Sequence, residues 1–120
     1  MYQQNEIKIS DSEWLIMQVI WNKSPLYMGE IVKALSHTPW AGATIHTMVV
    51  RLIAKKLIAI IRGGHAFQYY PVVPKEDAVK MYTKSFIDRV YKGNASELVI
   101  EISSDDYLTT EEKKALKKLL

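Results

Sequence analysis

The sequence contains no cysteine in its 120 residues. That excludes disulfides, thiolate-built zinc sites and thiol chemistry, and it permits a reducing compartment. No apolar run approaches the ~18–20 residues that a membrane-spanning helix needs. The opening stretch, MYQQNEIKIS, lacks the apolar centre of a secretory signal. The cytoplasm is therefore the expected location, with no insertion into a membrane. His37, His46 and His65 are dispersed, with neither a second histidine nor a carboxylate at metal-ligand spacing. A glycine loop suited to cradling phosphate is missing as well. No metal, no cofactor and no catalysis are expected. The chain has no internal repeat and no low-complexity tract.

What is present fits an ordinary globular protein, with 48% apolar and 24% charged residues. The net charge of +3 is mild, but its distribution is uneven. Residues 1–74 hold seven Lys/Arg against four Asp/Glu, and residues 75–120 hold nine against nine. The excess positive charge thus belongs to the first part of the chain.

Ile7-Lys8-Ile9 alternates and suggests a short lead-in. Ser10 through Glu13 then forms a capping box, in which a serine hydroxyl and a glutamate three residues on satisfy each other's backbone N–H. A helix follows to about Asn22, with Trp14, Leu15, Met17, Val19, Ile20 and Trp21 as its apolar stripe. Asn22 to Pro25 breaks it, because proline disfavours helical geometry in the residue before it. Leu26 turns inward, and a second helix runs from Met28 to about Leu35. Ser36 to Gly42 connects it to a third, over 43–57.

That third helix organises the rest. Ile45, Met48, Val49, Leu52 and Ile53 recur at spacings of three and four along one side. The other side carries Ala43, Thr44, Thr47, Val50, Arg51 and Ala54. It is small, hydrogen-bonding and free of acids, where a solvated helix would show Glu, Lys and Gln. Such a face suits base edges and phosphates; a helix buried on both sides is the plainer alternative. Trp40 fills the space between helices or covers a phosphate, with packing the favoured role. Two β-prone runs, 58–62 and 66–72, flank Gly63-Gly64-His65 and read as a hairpin with Arg62 and His65 at its tip. Three helices followed by a hairpin make a winged helix-turn-helix.

Beyond Pro71–Pro74, a hinge, the character changes. A helix from Lys75 to about Lys92 presents Val79, Tyr82, Phe86, Ile87 and Val90, and Gly93-Asn94 ends it. Ser96 to Ile102 suits a short helix, Ser103 to Asp106 a break, and a last helix starts at Thr110 with Leu116, Leu119 and Leu120 inward. Such narrow stripes cannot close a core within ~46 residues. A second copy of the segment is the simplest cover. The expected class is mainly α with a small β-hairpin wing: a winged-helix DNA-binding domain at 1–74 and a helical dimerisation domain at 75–120.

Ile9-Ser-Asp-Ser-Glu-Trp14, Val19-Ile-Trp21, Trp40, Thr44-Ile-His-Thr47, Arg51-Leu52, Phe67-Gln-Tyr-Tyr-Pro71 and Lys84-Ser-Phe86 resemble the penicillinase-repressor (BlaI/MecI) family of bacterial regulators. Tyr91-Lys-Gly93, Ser96, Leu98-Val99 and Leu108-Thr109 continue the match in one register. The resemblance implies a homodimer on a palindromic double-stranded operator, repressing genes of β-lactam resistance. It also implies derepression by cleavage in the dimerisation domain, through a protease linked to a membrane sensor. The family's copper-responsive branch carries a cysteine cluster that this chain lacks.

On these grounds the DNA-binding candidates are Ala43, Thr44, His46, Thr47, Val50, Arg51, Arg62 and His65, with Lys55 and Lys56 as weaker ones. The dimerisation candidates are Tyr82, Phe86, Val90, Leu98, Val99, Ile102, Leu116 and Leu119. The possible cleavage region is Glu101 and Ile102. Two departures stand out. The family's recognition helix opens Ser-Pro-Lys-Thr, and this one reads Ala41-Gly42-Ala43-Thr44. The family's Asn-Phe cleavage bond, with Val next, is here Glu101-Ile102-Ser103. Two other readings remain open: a winged helix used for protein contact, and a regulator sensing a small molecule near Trp14, Tyr70 and Tyr82, released without cleavage.

Overall fold

A computed structural model describes residues 8–119. The expectations for Ile7 and Leu120 fall outside them. The elements run α1 (Asp11–Asn22), β1 (Leu26–Tyr27), α2 (Met28–Ala34), α3 (Gly42–Ala54), β2 (Ile58–Gly63), β3 (Ala66–Pro71), α4 (Lys75–Tyr91), α5 (Ala95–Ser104) and α6 (Thr110–Leu119). The chain divides into two compact units, Met1–Tyr82 and Thr83–Leu120.

In the first unit the capping box forms as the sequence expects. Glu13 N–H donates to Ser10 Oγ at 3.1 Å, and Ser10 N–H donates to Glu13 Oε1 at 2.9 Å. Ile16, Met17 and Ile20 of α1 meet Ile31 and Leu35 of the second helical segment and Ile45, Val49 and Leu52 of α3 in a fully buried core. Trp14 and Trp21 lie at its edge, rings edge to face with centroids 5.2 Å apart.

The sheet has three strands in the order β1-β3-β2, all antiparallel. Its third member is a finding: the two residues of β1 pair as Leu26↔Tyr69 and Tyr27↔Gln68. A strand this short leaves no alternation for a sequence reading to detect. The hairpin turn also differs from expectation. Gly63 pairs with Ala66, so the loop is the two residues Gly64-His65, and Gly64 at φ +64 supplies the left-handed geometry that such turns demand.

The third helix starts at Gly42 and stops at Ala54, short of the expected Leu57. Lys56 adopts φ +65, and Leu57 turns fully into the core, donating its N–H to Leu52 O at 2.9 Å. Burial of Leu57 outweighs the modest cost of a left-handed lysine.

The segment expected to hinge is fastened to the head. Val73 is fully buried, and its carbonyl accepts Trp21 Nε1–H at 2.9 Å. The first turns of α4 belong to the same unit: Ala78 is buried, Met81 packs on the core, and the Tyr82 ring lies 5.3 Å from that of Trp14. The division at Tyr82/Thr83 therefore falls inside α4, whereas the sequence reading set its boundary at the start of that helix.

In the second unit α4 ends with Lys92 and Gly93 at positive φ, where Gly93 N–H reaches back to Ile87 O at 3.2 Å. The 96–102 stretch is helical as expected, within the longer α5. A second capping box, Thr109 with Glu112, starts α6. Thr109 N–H donates to Glu112 Oε1 at 2.9 Å and Glu112 N–H donates to Thr109 Oγ1 at 3.1 Å. Hydrogen bonding to Thr109, its backbone N–H foremost, holds the Glu112 carboxyl below its usual range.

Candidate nucleic-acid interface

The period of α3 separates its two faces cleanly. Ile45, Met48, Val49 and Leu52 are buried, and Ala43, Thr44, His46, Thr47, Val50, Arg51 and Ala54 are all exposed. Val50 is 50% exposed in the middle of a helix that has core available on its other side. An aliphatic residue left in water at that point suits contact with a thymine methyl. Thr47 Oγ1 donates to Ala43 O at 3.0 Å. With its proton engaged there, the hydroxyl faces outward as an acceptor, matched to an amino donor on adenine or cytosine.

The start of α3 is bare. Ala41 occupies the N-cap position and makes no side-chain capping bond, and Gly42 and Ala43 follow it exposed. A serine or threonine there stabilises a helix by about 1 kcal/mol relative to alanine. The Ala41-Gly42-Ala43 departure is thus a missing cap as well as a missing cation.

An open recess of about 340 Å³ lies between the start of α1 and the exposed face of α3. Ser10, Ser12, Thr44, Thr47 and Arg51 supply its polar lining, Glu13 its one carboxylate, and Trp40 and Met48 its apolar part. The structure thereby brings three predicted residues, Thr44, Thr47 and Arg51, together with Ser12 and Trp40. Ser12 was missed because the α1 capping box gave its neighbours a structural role and no periodicity links α1 to α3. Trp40 packs against the core, as the sequence reading favoured, and still lines the recess.

Glu13 is 4% exposed and would repel a phosphate if left alone. Lys55 Nζ neutralises it at 2.7 Å and donates equally closely to Lys8 O. Burial pushes the Glu13 carboxyl up, and the Lys55 ammonium with the Ser10 N–H and hydroxyl outweighs that, leaving it below the usual range. Lys55, a weaker DNA candidate, is therefore occupied in holding the end of α3 to the start of α1. Lys56 stays exposed.

On the wing, Arg62 lies on β2 and His65 in the turn, both exposed. From Ile31 to Lys75 the sequence contains no Asp or Glu and six Lys/Arg. That acid-free stretch spans α3 and the whole hairpin. Arg62 is the one Lys or Arg that it places on the hairpin.

The predicted dimerisation residues divide. Tyr82 belongs to the first unit, against Trp14 and 3.4 Å from Asp11 Oδ1. Phe86, Leu98, Ile102 and Leu116 are half-buried in the second unit, and Val90, Val99 and Leu119 are exposed there. An open apolar groove of about 300 Å³ gathers Val99, Ile102, Leu116 and Leu119 with Leu108, Ala115 and Glu112. Glu101 and Ile102 lie within α5, the first exposed and the second half-buried. Of the aromatic trio, Trp14 packs with Trp21 and Tyr82, and Tyr70 is exposed on β3. No helix among the described residues is long and apolar enough to cross a membrane.

Helices α1 to α3 with the hairpin behind them define a winged helix-turn-helix protein, with α3 as its presented helix. A family model for the penicillinase repressor matches residues 9–120. The penicillinase repressor of Bacillus licheniformis is 35% identical over 114 residues, 94% of this chain and 89% of that one. The methicillin resistance regulatory protein MecI of Mammaliicoccus sciuri is 32% identical over 114 residues, 94% and 93% of the two chains. The solution structure of the Bacillus licheniformis BlaI monomeric form in complex with the blaP half-operator is similar at 36% identity and a TM-score of 0.54, over 64% of this chain and 93% of that one. The chain belongs to the penicillinase repressor family.

Proposed function

We propose that this protein is a homodimeric repressor that binds a twofold-symmetric DNA operator, each head placing α3 in the major groove and the wing beside it. The observation that carries this reading is the exposed, acid-free face of α3, where Thr44, Thr47, Val50 and Arg51 stand together. Thr44 and Thr47 touch bases or phosphates, Val50 a thymine methyl, and Arg51 a phosphate or guanine edge. The similar BlaI monomeric form in complex with a half-operator supports the same use of this chain. The protein does no chemistry of its own in this role.

The second unit joins the two copies. It leaves Ile100 63% and Leu119 83% exposed, and α5 and α6 contain no buried residue. Two heads then read half-sites one helical turn, or a multiple, apart. Release follows loss of the dimer, and cutting the chain near Glu101-Ile102 is the route. Both residues are helical, and a protease needs an extended segment, so α5 must open locally before it is cut.

Titrating the purified protein against the DNA upstream of its own gene, and against random duplex, tests this reading. The comparison is made at about 50 and 200 mM salt, where counterion release separates specific from non-specific binding. A strong preference for the upstream DNA with a twofold-symmetric footprint is the expected result. Equal, weak binding to both duplexes would overturn it in favour of a winged helix used for protein contact.

A further inference from the structure

The turn of the wing is two residues long, and this sets Arg62 directly opposite Phe67 across the β2–β3 ladder. Directly opposed residues project to the same side of a hairpin. On that side, nearer the head, Ile58 and Tyr69 are buried. Phe67 is not: the residue is 48% exposed and takes no part in the core cluster. What it does meet is the guanidinium of Arg62, whose Cζ lies 5.4 Å from the ring centroid. That is within the range of a cation–π contact.

Arg62 has little else to hold it. The ion pairs found among the described residues are Lys55–Glu13 and Lys84–Asp88, and neither involves Arg62. The nearest acids in sequence are Glu30 and Glu76, far along the chain on either side. A cation–π contact engages the charge of the guanidinium rather than its N–H donors, which stay available to an anion. A free arginine gives up rotamer freedom when it docks on DNA. An arginine already resting on a ring has lost part of that freedom beforehand.

We infer that Phe67 is a positioning residue for Arg62, holding the guanidinium ready for a backbone phosphate beside the groove that α3 enters. This inference rests on the DNA-binding reading and adds to it a residue whose action passes through another. Phe67 need not touch DNA itself.

The test uses the full chain and the duplex from upstream of its own gene, with affinity followed from about 50 to 200 mM salt. Arg62→Ala should weaken binding about tenfold and reduce the salt slope by about one unit, the loss of one phosphate contact. Phe67→Leu keeps an apolar side chain and removes the ring; it should weaken binding about two- to fivefold. In the Arg62→Ala background the same Phe67→Leu change should have no further effect. Phe67→Tyr, which keeps the ring face, should bind as the parent does. In the free protein, NMR should show the Arg62 side-chain protons shifted upfield by the ring, and that shift should vanish in Phe67→Leu and persist in Phe67→Tyr.

An equal loss from Phe67→Leu in both backgrounds would overturn the inference, since the ring would then act without Arg62. An Arg62→Ala protein that binds like the parent would overturn it too, with the repressor reading left intact. A parent protein without preference for its upstream DNA would sink the repressor reading itself and the inference with it. Equal thermal midpoints of parent and variants rule out a folding defect as the source of any loss.

Discussion

The two units solve the burial problem to different degrees. The first closes a core in which Ile16, Met17, Ile20, Ile31, Val49, Leu52 and Leu57 are fully buried. The second contains no buried residue among those described, although Phe86, Ile87, Leu98, Ile102 and Leu116 approach it. Conformational entropy costs about 1–2 kcal/mol for each ordered backbone residue, and removal of apolar area from water is the main term that offsets it. The head meets that cost by itself. The second unit leaves its apolar side chains uncovered among the described residues, which is the observation behind the proposed dimer.

The largest effect that would sharpen this contrast comes from where the chain is cut. A chain ending at Tyr82 should stay folded and monomeric and bind its operator weakly. One ending at Pro74 loses Ala78, Met81 and Tyr82 from the core edge and should unfold far more easily. Thermal unfolding followed by tryptophan fluorescence compares them; equal midpoints would place the boundary at the start of α4. Next come single truncations. Ile20→Ala should cost the head about 3 kcal/mol in denaturant unfolding. Leu116→Ala should leave the head's unfolding unchanged and shift the monomer–dimer equilibrium seen by sedimentation. A Leu116→Ala protein with parental self-association would break the assignment of that face.

Arg51→Ala belongs to the head's other surface. It should lower operator affinity by about 1–3 kcal/mol, the value of one good base or phosphate contact, without altering dimerisation. Smaller still is the pH response of Glu13. Its folded carboxyl is held below the usual range, so the pair with Lys55 contributes stability above the unfolded carboxylate range near pH ~4 and loses it as pH falls through the folded value. Lys55→Met should weaken that acid-side dependence, the Ser10 hydrogen bonds remaining, and destabilise the head by about 1–2 kcal/mol, discounted because Lys55 is partly exposed. The smallest predicted change is a gain. Ala41→Ser should stabilise α3 by about 1 kcal/mol by restoring a cap, and Ala43→Lys should steepen the salt slope of DNA binding by about one unit.

Much of the head was legible because its signals are local. Ser10 and Glu13 specify the start of α1 within four residues, and Ile45, Met48, Val49 and Leu52 specify the inner side of α3 by spacing alone. The end of α3 was not legible: Lys55 and Lys56 are acceptable helix formers, and what stops the helix is the pull of Leu57 into a core assembled from distant segments. The role of Phe67 was hidden for a similar reason. A three-residue turn at Gly63-Gly64-His65 would set Arg62 opposite Ala66, and the observed two-residue turn sets it opposite Phe67. A shift of one position in register changes which side chains meet. Ser12 joins the recess beside Thr44, Thr47 and Arg51 only once α1 and α3 come together.

The two residues of β1 have an effect out of proportion to their number. Leu26 and Tyr27 sit immediately before α2 and are hydrogen-bonded to β3. The wing is thereby stapled to the start of α2, so on the proposed DNA-binding reading α3 and the wing would act as one stamp rather than two independent fingers. A stamp fits a target only when all its raised parts fall in register. Operators that keep the right bases but change the twist between the α3 contacts and the wing contacts should then be rejected as firmly as those with a wrong base.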